Sequence, residues 1–234
     1  MSVDSAGSRE QSELPRGVAE ALATAEIPLS KLGPARRARL TDSERELYYS
    51  ILRHFRTRGR PSDAEVRETA ERLGMDADRA LEILAREDLV HRGPDGEVTV
   101  AYPFSGRPTA HRVRFPGGHE VYAMCAIDAL GIAPMFGQPI EIASRDPLTG
   151  EGIQVELEPD GQATWQPEDA VVVCGASGSG ESSRSCCPVL NFFASTGNAE
   201  RWLAAHPEVR GDVISVRDAI EAGRAVFGDI LEEA

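Results

Sequence analysis

The sequence predicts an α+β protein: an N-terminal winged-helix-like helical unit, followed by a mostly antiparallel sheet domain with flanking helices. Three observations predict it. Between residues 41 and 88, two capping boxes and a third capped segment each precede an apolar stripe of helical period. A hairpin pattern around the turn Gly93-Pro-Asp-Gly96 follows them directly. From residue 112 onward, short period-two segments separated by turn residues lead into two capped helices.

The chain has 234 residues, enough for one large or two small domains with a real core. Residues 1–40 open with a Ser- and Glu-rich stretch and are expected to form a flexible tail with a short helix near Val18–Thr24. Residues 41–110 form the winged-helix-like unit. Thr41-Asp-Ser-Glu44 caps a helix with Leu47, Tyr48, Ile51, Leu52 and Phe55 inward. Ser62-Asp-Ala-Glu65 caps a second with Val66, Ala70 and Leu73 inward, stopped at Gly74. Asp76 caps a third, and Leu89-Val-His91 with Glu97-Val-Thr-Val-Ala-Tyr102 make the hairpin. A break is expected between residues 103 and 115, with a catalytic-type domain over 111–234.

In that second part Arg112-Val-Arg-Phe115 reads as a strand, as do Pro139–Ser144 and Gly152–Leu157 around the turn Asp146–Gly150. Ala170–Cys174 is another, and a glycine loop leads from it to Cys186-Cys-Pro-Val-Leu-Asn-Phe-Phe193, expected as a buried strand. The loop lacks Gly-Lys-Ser/Thr, so it is no P-loop. Ser195 and Ser215 cap the last two helices.

Charge narrows the function. The net charge is −13. Residues 1–115 balance 19 acidic against 19 basic side chains, and residues 116–234 hold 19 acidic against 6 basic, 6 − 19 = −13. An acidic surface repels nucleic acid and anionic membrane. The third helix, the usual reader of the major groove in a winged helix, carries Arg79 and Arg86 against Asp76, Asp78, Glu82, Glu87 and Asp88, the wrong sign for phosphate. No run of apolar residues is long enough to span a bilayer, and the first residues lack the order of a signal peptide. Four cysteines without an export signal point to free thiols in a reducing cytoplasm. The five histidines show no ligand spacing.

Glu120–Leu130 holds the chemistry. Read as a helix, it sets Cys125 and Asp128 three residues apart on one face, among the apolar Val121, Met124, Ile127 and Leu130. A thiol and a carboxylate in an apolar pocket make a nucleophile with a proton carrier; a core cysteine beside a helix-surface aspartate accounts for the same residues. Cys174 reads as an inert buried thiol. Cys186 and Cys187 sit where the glycine loop enters an apolar segment, which gives at least one of them a route to solvent.

Tyr122-Ala-Met-Cys-Ala-Ile-Asp128, followed by Cys187-Pro-Val-Leu-Asn-Phe-Phe-Ala-Ser195, resembles alkylmercury lyase, the organomercurial lyase family, over roughly Phe115 to Leu231. The family pattern is a Cys-Ala-aliphatic-Asp segment with a distant Cys five residues before Phe-Phe. Carried over by position, the resemblance implies Cys125 and Cys187 as mercury-binding thiols and Asp128 as proton shuttle. Counting back from Phe192 selects Cys187, whereas counting from the start of the Cys-Cys pair selects Cys186. Met124 stands where an aromatic residue is associated with the family, Arg145 where some members carry a further Cys, and Pro188 where some carry the second Cys of a pair. The implied reaction is protonolysis of a carbon–mercury bond to a hydrocarbon and Hg(II), with Cys186 as a spare metal-binding thiol. It needs no organic cofactor. Low-molecular-weight thiols, or a mercuric reductase, would clear the Hg(II) product, so the expected partners are organomercurials and thiols rather than nucleic acid or membrane. Two other readings remain at this level: a winged-helix metal- or redox-responsive regulator, and a non-catalytic soft-metal-binding protein on the lyase fold.

Overall fold

The computed structural model describes residues 14–178, 180–228, 230 and 231. Helix α1 spans Arg16–Thr24, and after a 3₁₀ turn at Leu29–Lys31 comes the short α2, Gly33–Arg37. The helical unit is α3 (Asp42–Arg58), α4 (Asp63–Arg72) and α5 (Ala77–Arg86). Both expected capping boxes are present: Thr41 and Ser62 each accept the N–H three residues on, and Glu44 and Glu65 reach back to the N-cap N–H. Asp76 caps α5 through the Arg79 N–H at 2.8 Å.

Strands β1 (Val90–Arg92) and β2 (Val98–Ala101) form the hairpin. They do not end a separate sheet. β2 pairs with β3 (Phe104–Ser105), β3 with β5 (Glu120–Ala123), and β5 with β4 (His111–Arg114). The sheet continues through β6 (Ile140–Arg145), β7 (Gly152–Leu157) and β8 (Ala163–Gln166), giving the order β1-β2-β3-β5-β4-β6-β7-β8 with antiparallel neighbours throughout. One sheet and one main hydrophobic cluster, from Leu47 and Phe55 to Ile142 and Phe227, therefore run across the expected break at 103–115.

A second sheet has the order β10-β9-β11, from β9 (Val171–Ser177), β10 (Phe192–Phe193) and β11 (Val209–Ser215). Helix α6 (Ala126–Phe136) is buried on nearly every side and packs on β4, β5 and β6. Helix α7 (Ser182–Ser185) is one turn long. Helices α8 (Thr196–Ala205) and α9 (Val216–Phe227) close the fold, capped by Ser195 and Ser215.

Three expectations need correction. Residues 120–130 are not one helix. Glu120–Ala123 alternates exposed and buried positions and pairs on both edges as β5, so its period is two and the helix starts only at Ala126. Residues 186–193 are not one strand, since only Phe192–Phe193 pairs with β9. Before it, Cys187 N–H bonds Ser182 O at 2.8 Å and Val189 N–H bonds Cys186 O at 2.8 Å, a turn that Pro188 suits because it needs no N–H. The short helix expected near Val18–Thr24 is α1, but the described part of residues 1–40 is packed rather than loose. α1 buries Val18, Ala21 and Leu22 against β9, β11 and α9, and the first 13 residues of the expected tail lie outside the described residues.

The α6–α9 contact fixes the depth at which α6 sits. A Cβ on Gly131 would lie 2.3 Å from Phe227 Cδ2, and one on Gly223 would lie 2.8 Å from Gly131 N. The two helices touch backbone to backbone, which only glycine permits here.

Candidate functional site

Cys125 is the N-cap of α6. Its backbone is still extended two residues past β5, φ −153° and ψ 179°, and its Sγ accepts the Asp128 N–H at 3.4 Å. A cysteine thus occupies a place usually held by Ser, Thr, Asp or Asn, and the positive end of the helix favours a thiolate there when one forms. The capping turn also folds Asp128 back on Cys125, and the thiol donates to Asp128 Oδ2 at 2.9 Å. The pair expected from helical spacing is real, but the cap turn, not a shared helix face, makes it.

Cys187 reaches the same point from the other side. The Ala126 N–H donates to Leu190 O at 2.9 Å, tying the 186–190 turn to the start of α6. Cys187 Sγ then lies 3.9 Å from Asp128 Oδ2 and 4.0 Å from the Tyr102 hydroxyl. The ligand atoms of Cys125, Asp128 and Cys187 all lie within 4.8 Å of one another, and all three residues are buried. That is about twice a metal–sulfur bond of ~2.3 Å, the reach of one ion bridging two thiolates. Cys186 is outside this trio. It is half-buried at the end of α7, with Sγ 3.5 Å from Ser185 Oγ.

Burial sets the protonation of the trio. It pushes the Asp128 carboxyl from the ordinary 3.8 up to about 7, against the thiol hydrogen bonds that favour the carboxylate. It also pushes the Cys125 thiol well up, and the neighbouring Cys187 and Asp128 push it further. For Cys187 the hydrogen bond from Cys125 favours the thiolate, but burial and the Asp128 charge outweigh it, and the net direction is up. The unligated site therefore holds thiols, with a carboxyl poised to change state near neutrality.

The trio lies at the buried end of a cavity of about 240 Å³. Its walls are mainly apolar, with Val18 and Leu22 of α1, Ile27, Leu190 and Phe227 among them, and its mouth carries the exposed Glu26, Lys31 and Arg210. Tyr102 and Tyr48 line it too; burial holds both hydroxyls well above their usual range.

A buried ion-pair network, unforeseen from the sequence, closes one side. Arg36 Nη1 lies 2.7 Å from Asp88 Oδ2, and Arg36 Nη2 donates to Ser182 Oγ at 3.0 Å. Asp88 Oδ2 accepts the Ser182 N–H at 3.0 Å and its hydroxyl at 2.7 Å, while His91 Nε2 meets Asp88 Oδ1 at 2.8 Å. Burial would raise the Asp88 carboxyl, but these partners hold it below the usual range. The network joins the segment after α1, the end of α5 and the loop bearing Cys186 and Cys187. Asp88 also takes the left-handed backbone, φ 54°, a local signal that no spacing pattern in the sequence reports.

His119, just before β5, meets Phe55 O through Nε2 at 3.0 Å and does not line the cavity. Cys174 lies on β9, buried in the main core cluster as expected, and burial pushes its thiol up to about 12; it also forms part of the cavity wall. Among the described residues, Cys125, Asp128 and Cys187 are the one group of three or more side chains spaced to hold a metal ion.

Comparison with known proteins matches the alkylmercury lyase family profile to residues 104–228. An alkylmercury lyase of Staphylococcus epidermidis is 33% identical over 160 residues, 68% of this chain and 72% of the relative. One from Bacillus cereus is 38% identical over 128 residues, 54% of this chain and 57% of the relative. The crystal structure of the mercury-bound form of MerB2 superposes with a TM-score of 0.72 at 21% identity, covering 86% of this chain and 98% of that one, a likeness of fold.

Proposed function

The chain belongs to the alkylmercury lyase family, and on that premise we propose that it cleaves carbon–mercury bonds by protonolysis at Cys125, Asp128 and Cys187, releasing a hydrocarbon and Hg(II). The observation that carries the reading is the convergence of two thiols and a carboxyl, all within 4.8 Å, at the end of an apolar cavity.

Hg(II) is soft and prefers thiolate sulfur to oxygen or nitrogen, so two converging cysteines suit it. An organomercurial R–Hg–X enters with X as a small thiolate. Cys125 exchanges for X, which leaves with the Cys125 proton, and the new thiolate is stabilised at the α6 N-terminus. Cys187 then adds to mercury, and its proton passes to Asp128. Two thiolates donating to mercury make the carbon more basic, and the Asp128 carboxyl delivers the proton to it. The bond from mercury to carbon breaks, carbon–hydrogen forms, and Hg(II) stays on Cys125 and Cys187. A carboxyl titrating near 7 is populated in both forms at neutral pH, which suits a group that must accept a proton and return it.

The cavity accommodates the organic group. A dry apolar cavity of roughly 150 Å³ takes a benzene-sized molecule, and this one is larger. No organic cofactor enters the scheme. Low-molecular-weight thiols, or a mercuric reductase, remove the Hg(II), and free thiols of this kind fit a reducing cytoplasm; no helix among the described residues is long and apolar enough to cross a membrane. Incubation with phenylmercury or methylmercury and excess thiol should release benzene or methane. Tight mercury binding without hydrocarbon would instead favour a non-catalytic soft-metal-binding protein.

A further inference from the structure

Asp88 stands at a helix end where glycine is the usual residue. After α5 the Asp88 N–H donates to Ala85 O and the Leu89 N–H to Leu84 O, both at 2.9 Å, and Asp88 takes φ 54°. This is the bonding of a Schellman stop, whose left-handed residue is most often glycine because a Cβ is disfavoured there. Helix α4 ends in the same pattern with Gly74, φ 71°: its N–H donates to Glu71 O, and the Met75 N–H donates to Ala70 O. At the end of α5 the chain instead keeps a side chain in the strained conformation. Stopping α5 does not require a carboxylate, so the reason for it lies in what it touches.

Its contacts lead to Cys187. Asp88 Oδ2 accepts the Ser182 N–H at 3.0 Å and the Ser182 hydroxyl at 2.7 Å, so it holds the first residue of α7, whose own N-cap Glu181 makes no side-chain cap bond. Ser182 O in turn accepts the Cys186 N–H at 3.0 Å and the Cys187 N–H at 2.8 Å. Arg36 braces Asp88 twice, at 2.7 Å from its carboxylate and at 2.8 Å from its carbonyl oxygen. Every link from the end of α5 to the backbone of Cys187 is thus a hydrogen bond of ordinary length. We propose that Asp88 is a positioning residue: it clamps Ser182, and through Ser182 it sets the Cys187 sulfur within 4.8 Å of the Cys125 sulfur, where one mercury bridges both. The assignment rests on the reading of Cys187 as the second mercury-binding thiol. Asp88 itself touches neither mercury nor the reacting carbon. Without the clamp Cys187 stays in the chain, but its effective concentration at a mercury held by Cys125 falls. A misplacement of about 1 Å at a reacting group costs up to about 100-fold in rate.

Two substitutions test this. Asp88→Gly suits the left-handed backbone and removes the carboxylate, whereas Asp88→Asn tolerates that backbone and keeps an oxygen for Ser182. Each protein is loaded with HgCl₂ and titrated with dithiothreitol, whose two thiols compete with a protein thiol pair. Single-turnover benzene release from phenylmercury is measured alongside, and far-UV circular dichroism checks each fold. Asp88→Gly should give up mercury at least about tenfold more readily than the parent and release benzene at least about tenfold more slowly. Asp88→Asn should recover most of both. In a Cys187→Ser background, Asp88→Gly should change mercury retention less than about twofold, because the thiol it positions is gone. A general loss of stability would weaken retention in both backgrounds. If Asp88→Gly does not fold, Arg36→Met/Asp88→Gly replaces it, since that pair of changes leaves no buried charge unpartnered. Parent-like retention and cleavage in the folded variant, an equal loss in the Cys187→Ser background, or Asp88→Asn as impaired as Asp88→Gly overturns the proposal. A parent chain that releases no benzene loses the lyase reading, and the dithiothreitol titration still decides whether Asp88 positions Cys187.

Discussion

Replacing Asp128 by Asn tests the site through its protonation. The side chain keeps its shape and loses its charge. Burial raises the Asp128 carboxyl from 3.8 to about 7 in the folded protein. In the unfolded chain it ionises near its ordinary value. Below about pH 4 both states carry the proton and the group has no effect on stability. Between about 4 and 7 the unfolded chain gives up the proton and the folded protein keeps it, so the native state binds more protons and stability falls as pH rises. Above about 7 the penalty is complete, roughly 4 kcal/mol from the difference between the two values. The Asn variant escapes it. Its stability relative to the parent should therefore rise by roughly 3 kcal/mol between pH 5 and pH 8.

Urea denaturation of both proteins at the two pH values measures this directly. The lost hydrogen bond from Cys125 adds an offset that does not depend on pH, so the change with pH is the informative quantity. The thiols do not blur it, because burial holds Cys125 and Cys187 above the ordinary thiol value, outside this window. The same variant should bind Hg(II) and lose about 10²–10⁴-fold in single-turnover hydrocarbon release, the usual contribution of a positioned proton carrier. A stability difference independent of pH would refute the claim that the buried carboxyl holds its proton. Parent-like cleavage would place the acid elsewhere.

Four further outcomes follow from the geometry. Cys125→Ala should abolish cleavage with the fold intact, and Cys187→Ser should lower single-turnover hydrocarbon release at least about tenfold more than Cys186→Ser, since only Cys187 meets Asp128; gas chromatography of the hydrocarbon checks both, and the reverse ranking would make Cys186 the partner. Arg36→Met strands Asp88 without its cation in a largely buried setting, and should lower unfolding free energy by about 3 kcal/mol in urea; an unchanged midpoint would mean solvent already screens the pair. Gly223→Ala drives a methyl to within 2.8 Å of Gly131 N and 3.0 Å of Ile127 O, so it should cost about 1–3 kcal/mol and displace α6, with a fall in cleavage rate that Ala222→Gly does not reproduce.

Elements whose cause is local were legible in the sequence. Thr41–Glu44 and Ser62–Glu65 specify their helix starts by reciprocal bonds within four residues, and Glu141 and Glu156 point outward between buried neighbours along β6 and β7. The misread segments are those where a contact distant in sequence decides. Val121, Met124 and Ile127 fall at helical spacing, yet pairing with β3 and β4 makes the first part of that stretch a strand. The Cys186–Phe193 segment is apolar enough for a strand, but its backbone bonds to Ser182 and, through Leu190, to Ala126 hold it in a turn. Cys125 and Cys187 were legible as candidate thiols by residue type and resemblance. Their approach was not, because it depends on contacts distant in sequence, among them the hydrogen bond between residues 126 and 190 and the bonds from Ser182 to Asp88.

The same reasoning assigns a role to the N-terminal half. Read in isolation, three helices and a hairpin suggest a DNA reader, and charge alone argued against it. The structure adds a stronger argument. Asp78 of α5 is held by Arg67 at 3.1 Å and by Arg92 at 3.1 Å, so basic side chains flanking that helix are engaged with its own carboxylate rather than free for phosphate. At the other end of α5, Asp88 is bound into the network with Arg36 and Ser182. The hairpin leads to Tyr102, whose hydroxyl lies 4.0 Å from Cys187 and whose carbonyl accepts from Tyr48. Both ends of the unit are therefore engaged within the molecule, one by β-pairing into the main sheet and one by a buried ion pair beneath the cysteine loop. A unit fixed in this way supplies Tyr48, Asp88, Leu89 and Tyr102 to the wall of the thiol cavity, so its packing places it as part of that cavity rather than as a separate module.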